Sequence, residues 1–411
     1  MLNPDAIKSL VQKGLLSEID IHFAKFISGF SIPEDPDIFL AAAMVSHATG
    51  NGDICLNLEA AAGNSLTDRP QDREGIQCPE LEFWLKKLKA HQTVGSPGQF
   101  RPLILDEKNR LYLYRYWEYE KRLTDLIRSR TRNDAAKIDT GKLKGHLDAL
   151  FPETGDPGMD WQKLAAAVAV MKRFCVISGG PGTGKTHAIA RILAALIRQH
   201  HPDGLRIRLA APTGKAAARL AESIGHAKRV LVRDSRILEA IPDTGSTIHR
   251  LLKPVKDSSY FTYNRDNPLP ADVVVVDEVS MVDLPLMSKL IQALPEASRL
   301  ILIGDRHQLA SVQAGSVLGD ICGGKIGNDF SESFARVLAP VMGGNPKQLS
   351  GPDEEKSGIR DCIVYFTRSY RFEKESGIDL LSRASILICC LGQEFFFKYI
   401  TNIHVLQINF S

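Results

Sequence analysis

Hydrophobic residues follow different spacings in different parts of the chain. In the first hundred residues they recur at helical spacing over 7–16 and 37–47, with Pro33 and Pro36 between the two segments. This pattern predicts a mainly helical N-terminal domain over residues 1–110. A connecting helical segment, rich in arginine and lysine, is predicted over residues 111–139.

Farther along the chain, the hydrophobic residues instead form short continuous runs. Such runs lie at 174–177, 209–211, 273–276 and 300–303. Apolar runs of this length, separated by helical patterns, are typical of parallel strands buried on both faces. The predicted fold class is therefore α/β, with a parallel-sheet domain over residues 140–350. The stretch at 321–360, rich in turn-forming and charged residues, is predicted to be loop.

The first of these runs leads directly into a glycine-rich loop with the spacing G-x-x-x-x-G-K-T. Glycines adopt backbone angles that other residues avoid, so successive amide N–H groups can turn inward around an anion. The lysine adds a charge for the β- and γ-phosphates, the threonine adds a hydroxyl for Mg²⁺, and the following helix directs its positive end at the same point. The sequence therefore predicts an ATP and Mg²⁺ site formed by Gly179, Gly180, Pro181, Gly182, Thr183, Gly184, Lys185 and Thr186.

Two carboxylates end the valine run at 273–276, and a glutamine follows the next run. Parallel strands deliver the side chains at their carboxyl ends to one edge of the sheet. We expect Asp277 to hold Mg²⁺ together with Thr186, and Glu278 to orient or deprotonate the attacking water. Gln308 is predicted to hydrogen-bond the γ-phosphate and so to sense hydrolysis.

A further strand-end turn, after the run at 209–211, carries hydroxyl and basic side chains. We expect Thr213 and Lys215 to contact a nucleic-acid backbone. A second contact group is predicted at Thr247 and His249, together with Arg250. Taken by itself, Lys215 is equally well explained as a solvated helix charge.

The segments GGPGTGKT, APTGKAA, STIHRLL, VVVVDEVSMVD and GDRHQL resemble, in this order, motifs I, Ia, Ib, II and III of superfamily 1 DNA helicases. The segments DWQKLAAA at 160–167 and LYLYRYWEYE at 111–120 closely resemble the RecD family, the alpha subunits of exodeoxyribonuclease V. By this resemblance Gln162 contacts the adenine base. Arg371, in a segment similar to motif IV, reaches the γ-phosphate from a second motor domain.

The resemblance implies a RecA-like motor domain at 140–350 and the start of a second motor domain at 351–381. It also implies an ATP-driven motor that moves 5′ to 3′ on single-stranded DNA within a heterotrimer with the beta and gamma subunits, RecB and RecC. That complex unwinds and degrades duplex DNA from broken ends during recombinational repair. The N-terminal domain is then the part that docks on the gamma subunit, and the nuclease site lies in the beta subunit.

Similarity to the family stops near residue 381. Motifs V and VI do not follow, and the tail at 382–411 contains adjacent cysteines and three consecutive phenylalanines. We expect this tail to result from a frameshift or a truncated gene prediction, with a genuine short variant as the alternative. The 411-residue chain is then expected to bind ATP and single-stranded DNA, with weak ATPase activity and no strand separation.

Composition narrows the class of protein. The formal net charge of +3 is only weakly basic, so DNA binding must depend on local patches. The seven cysteines show no C-x-x-C spacing, and the N-terminus has neither a basic leader nor a long apolar one, which predicts a reduced, cytoplasmic protein. The apolar run at 386–391 is far shorter than the roughly 20 residues of a membrane-spanning helix, so no membrane association is expected.

Two other functions remain compatible with these motifs. One is a P-loop switch or assembly ATPase, although such a protein has no need of several strand-end turns with DNA-contacting groups. The other is a catalytically weak ATP- and DNA-binding fragment, which the missing motifs V and VI favour. Stimulation of ATP hydrolysis by single-stranded DNA would separate the helicase from the switch, and little turnover despite nucleotide binding would indicate the fragment.

Overall fold

A computed structural model of the chain describes residues 9–31, 33–66, 76–132, 138–152, 159–199, 204–231, 234–306, 308, 314–323, 327–351 and 358–367. These residues form an N-terminal unit and a larger α/β unit. The N-terminal unit contains helices α1 (Glu18–Ser28), α2 (Pro36–Gly50), α3 (Leu58–Ala61) and α4 (Leu81–Ala90) and strands β1 (Leu56–Asn57), β2 (Val94–Gly95), β3 (Leu103–Leu105) and β4 (Arg110–Leu113).

The helices of the N-terminal unit begin where the sequence provides caps. Ser17 and Asp20 form a reciprocal capping box at α1, and Asp35 caps α2, whose first residue is Pro36. Apolar faces of these helices enclose a core around the buried Trp84 and Leu58. The prediction of helices here is confirmed, but the strands form a four-stranded sheet in the order β1-β4-β3-β2 that was not predicted. Strands of two to four residues are too short to show a period.

A long helix, α5 (Tyr114–Arg132), follows β4 and lies within the predicted connecting segment. Its buried face includes Leu123 and Ile127, which pack against the α/β unit. The guanidinium of Arg130 is buried and donates to the carbonyl oxygens of Leu294 and Pro295 at 3.0 and 3.2 Å. This helix therefore joins the two units by direct contact.

The α/β unit is built on a six-stranded sheet in the order β10-β5-β9-β8-β6-β7, in which all paired strands are parallel. Its elements are α6 (Thr140–Leu150), α7 (Trp161–Met171), β5 (Phe174–Gly179), α8 (Lys185–Gln199), β6 (Ile207–Ala211), α9 (Gly214–Leu231), α10 (Ser235–Ala240), β7 (Ser246–Thr247), α11 (Ile248–Leu252), β8 (Val273–Val276), α12 (Leu284–Ala293), β9 (Arg299–Gly304), α13 (Val317–Cys322), α14 (Glu332–Met342) and β10 (Ile363–Phe366), with 3₁₀ turns at Val279–Met281, Pro346–Gln348 and Arg360–Cys362.

Both faces of this sheet are covered. Along β8, Val273 and Val275 enter one hydrophobic core, whereas Val274 and Val276 enter the core on the opposite face. Burial on both faces explains why the strands appear in the sequence as continuous apolar runs and not as alternating patterns. The predicted α/β fold with a parallel sheet is confirmed.

Two sequence-based predictions are corrected at the end of the described chain. The prediction of loop over 321–360 is wrong, because the helix α14 occupies Glu332–Met342. Its apolar residues Phe334, Leu338 and Val341 are buried at helical spacing, and the turn formers lie on either side of it. The strand β10 pairs with β5, so the motor sheet extends past the domain boundary predicted at residue 350.

Candidate nucleotide site and nucleic-acid interface

The glycine-rich loop connects β5, which lies between β9 and β10, to the first turn of α8. Gly182 and Gly184 have φ values of +76° and +80°, which a side chain would strain. The Thr183 hydroxyl donates to the Gly180 carbonyl at 2.9 Å and closes the turn. A Cβ atom on Gly179 would lie 2.8 Å from the Cβ of Phe366 on β10, so this close strand pairing also requires glycine.

Lys185 lies at the point where the loop becomes helix. Its ammonium donates to the carbonyl oxygens of Gly179 and Gly180, the latter at 2.9 Å. Burial lowers the pKa of Lys185, and the carboxylates of Asp305, Asp277 and Glu278 oppose that shift. These three carboxylates follow the ends of β8 and β9, at the same sheet edge as the loop after β5, and they act electrostatically on Lys185.

The two adjacent carboxylates have different surroundings. The Asp277 N–H donates to the carbonyl of Ala210, which continues the pairing of β8 with β6. Burial raises the pKa of Asp277, and the N–H of Glu278, 2.9 Å from its Oδ1, counteracts the shift. Glu278 has a φ of +52°, a left-handed conformation that is unfavourable for a residue with a side chain. This backbone turn separates Glu278 from the strand that carries Asp277.

Gln308 lies after β9 and is exposed. Its Oε1 accepts a hydrogen bond of 3.4 Å from the Ser280 hydroxyl, directly beyond the carboxylate pair. The sequence predicted no role for Ser280 or for Asp305. Asp305 is buried, and its negative charge opposes the lowering of the Lys185 pKa. The signal for Asp305 was present, because it is a carboxylate directly after a buried parallel strand.

The other residues predicted to contact the nucleotide differ in their exposure to solvent. Thr186 lies half-buried in the first turn of α8, and Pro181 is exposed in the loop. Gln162 is buried in the first turn of α7, and its Oε1 accepts a hydrogen bond of 3.2 Å from Arg191 on α8. Arg371 lies outside the described residues.

The predicted nucleic-acid contacts lie on two neighbouring strand ends. The pairing of Ala211 with Thr247 places the turn after β6 beside the start of α11. Gly245 permits this approach, since a Cβ there would lie 2.6 Å from the carbonyl oxygen of Ala217. The hydroxyls of Thr213 and Thr247 each accept a backbone N–H at 3.2 Å, from Ala216 and Arg250, and so cap α9 and α11.

These capped turns expose basic groups. Thr213 and Lys215 are exposed after β6, and His249 is exposed on α11. The His249 ring lies 5.8 Å from the ring of Phe261. The fold thus brings the two predicted contact groups to the same sheet edge as the glycine-rich loop.

In the described part of the chain, no helix combines the length and the apolar character needed to cross a membrane.

Residues 12–112 match the family model described as RecBCD enzyme subunit RecD, N-terminal domain, and residues 162–314 match the AAA domain. The chain is 36% identical over 401 residues to RecBCD enzyme subunit RecD of Haemophilus influenzae, covering 92% of this chain and 61% of that protein. It is 36% identical over 350 residues to the same subunit of Mycolicibacterium smegmatis, covering 80% of this chain and 58% of that protein.

A third relative is the ATP-dependent RecD2 DNA helicase of Deinococcus radiodurans, 34% identical over 280 residues, covering 62% of this chain and 33% of that protein. The chain therefore spans 61% of the length of the Haemophilus influenzae protein.

Proposed function

We propose that this chain is a member of the RecD family. In this proposal it is an ATP-dependent 5′–3′ DNA helicase subunit of a RecBCD-type complex that acts in double-strand break repair and recombination. One observation carries the proposal: the carboxyl edge of the parallel sheet holds the glycine loop with Lys185 together with Asp277, Glu278 and Asp305. The same edge also carries exposed Thr213 and His249.

The loop residues suit a nucleoside triphosphate. Around Gly180 there is room, since an added Cβ would have no neighbour within 4 Å, and positive φ at Gly182 and Gly184 turns the backbone as a phosphate cradle requires. Lys185 supplies a positive charge from the first turn of α8. We assign ATP to this site, with Gln162 toward the adenine.

Thr186 and Asp277 are the residues we assign to Mg²⁺, which neutralises phosphate charge when bound. Asp277 suits this task because burial disfavours its ionised form, and a bound cation would favour the ionised form again. Glu278, turned away from the strand by its left-handed backbone, orients the attacking water and accepts its proton. Gln308 reports the state of the γ-phosphate through its contact with Ser280.

The DNA strand, in this proposal, crosses the ends of β6 and β7. Thr213, Lys215, Thr247 and His249 contact its backbone, which gives affinity without sequence preference. Arg371 contributes charge to the γ-phosphate from the second motor domain. The N-terminal unit docks on RecC within a complex that also contains RecB. We assign the chain to the cytoplasm, as the cysteine spacing in the sequence favours.

The deciding experiment measures ATP hydrolysis with and without a single-stranded oligonucleotide. The helicase proposal expects DNA to raise the hydrolysis rate several-fold, and expects the stimulation to be lost in Lys215→Ala combined with His249→Ala. The unstimulated rate should stay unchanged in that double variant, because neither side chain contacts the phosphate loop. Hydrolysis that is indifferent to DNA, in a chain that binds ATP, would support a P-loop switch ATPase instead.

A further inference from the structure

Residues 253–268, here called the hairpin segment, fold back on themselves directly after α11. Val255 N–H donates to the Tyr260 carbonyl at 3.1 Å, and Thr262 N–H donates to the Lys253 carbonyl at 2.8 Å. Phe261 pairs with Pro254 across the fold. Because α11 carries His249, the position of this segment affects the predicted DNA-contacting edge.

One lysine outside the segment holds it in place. The Lys289 ammonium, on α12, donates to the carbonyl of Ser259 at 2.9 Å. The same ammonium lies 5.4 Å from the ring centroid of Phe261 and 5.9 Å from the ring centroid of Tyr119 on α5. Lys289 therefore bridges the hairpin segment and the helix that joins the two units of the protein.

The surroundings of Lys289 are those of a held cation and not of a solvated one. Burial lowers its pKa, as does the neighbouring charge of Arg115, while Asp283 and Tyr260 oppose the shift. A partly desolvated ammonium needs compensating partners, and a carbonyl oxygen with two aromatic faces supplies them. The centroid of the Phe261 ring, in turn, lies 5.8 Å from the centroid of the His249 ring.

We propose that Lys289 is a positioning residue that ties the hairpin segment to α5 and, through Phe261, holds His249 toward the DNA strand. The second half of this statement rests on the proposed function, because it requires His249 to contact DNA. The first half concerns the protein alone.

The test compares Lys289→Met, which removes the charge but keeps the length, with Lys289→Arg, which keeps a cation. The hairpin segment contains exposed Lys256 and Arg265, so trypsin reports its attachment in the full 411-residue chain. We expect cleavage at these sites to accelerate about three- to tenfold in Lys289→Met and to remain near the parent rate in Lys289→Arg.

A second measurement uses a labelled single-stranded oligonucleotide. Lys289→Met should weaken binding roughly three- to tenfold, and Lys289→Arg should restore most of it. In a chain that already carries His249→Ala, adding Lys289→Met should cause no further loss, since coupled residues are not additive. ATP binding should be unchanged in all variants. If Lys289→Met folds poorly, Phe261→Leu removes the intervening ring and should give the same loss of affinity.

Unchanged tryptic cleavage in Lys289→Met would overturn the tether. Fully additive losses with His249→Ala would overturn the link through that histidine. Faster cleavage together with no DNA binding by the parent chain would support the tether and contradict the proposed function, so the two failures can be told apart.

Discussion

Among the described residues, carboxylates whose pKa is raised by burial occur in two regions, and the two regions differ in what surrounds them. At the nucleotide edge, burial raises the pKa of Asp277, and the charges of three carboxylates favour the protonated form of Lys185. At the junction between the N-terminal unit and the motor, burial raises the pKa of Asp320 on α13 to about 8, and the nearby charge of Glu120 on α5 adds to the shift.

The junction contains a second carboxylate that is shielded from solvent, Glu120 on α5. Burial raises the pKa of Glu120, while the charge of Arg110 and a hydrogen bond from Tyr112 oppose the rise. One carboxylate oxygen of Asp320 is buried without a hydrogen-bond partner. Helices α5 and α13 carry these two carboxylates, whereas Asp277 follows the end of strand β8 at the sheet edge that also carries the glycine-rich loop. The comparison teaches that a raised pKa marks burial, and that a ligand site also needs backbone built to receive the ligand.

We expect the largest effect from a substitution of Lys185 at the nucleotide edge. Lys185→Ala removes the positive charge on which Asp277, Glu278 and Asp305 act. We expect ATP hydrolysis to fall by about a hundredfold or more, because charge developing on the phosphates is no longer stabilised. Turnover is measured on purified protein whose circular dichroism matches the parent. A parent-level rate would refute the assignment of the phosphate loop.

The next effect separates the two adjacent carboxylates. Glu278→Gln keeps the shape of the side chain but removes the base, so hydrolysis should fall roughly 10²-fold or more while ATP binding persists. Asp277→Asn should instead shift the Mg²⁺ dependence to higher concentrations. Titration of nucleotide affinity and of turnover against Mg²⁺ gives both results. Equal turnover in Glu278→Gln and the parent would exclude Glu278 as the base.

The smallest effect tests the junction. The pKa of Asp320 is about 8 in the folded chain and 3.8 ordinarily, so the folded state favours the protonated group. The contribution of Asp320 to the free energy of unfolding is therefore most favourable below about pH 4. It is lost as the pH rises toward 8. Asp320→Asn should abolish this loss and raise the free energy of unfolding by about 1–2 kcal/mol near pH 8.

Denaturant unfolding at pH 5.5 and at pH 8 measures this difference. Asp266→Asn, at an exposed position in the hairpin segment, is the matched control and should show no such gain. ATP hydrolysis should be unchanged in Asp320→Asn. A loss of stability at pH 8 in that variant would mean that the ionised carboxylate has a stabilising partner.

Local patterns could be predicted, and pairings between distant segments could not. The apolar run at 174–177 marked β5, and the valine run at 273–276 marked β8. The helix α14 was missed because its flanking turn formers outweighed the stripe of five buried residues within its 11 residues. The neighbours of β10 could not be anticipated, since its partner β5 lies more than 180 residues earlier (363 against 176).

Residue types at short spacings were enough to predict the phosphate loop, the strand ends that carry Asp277 and Glu278, and the resemblance to the RecD family. The electrostatic effect of Asp305 on Lys185, and the bridge that Lys289 forms between Phe261 and Tyr119, became visible only in the folded chain. Such contacts bring together residues far apart in the chain. Their geometry arises from sheet order and helix packing, which no short pattern encodes.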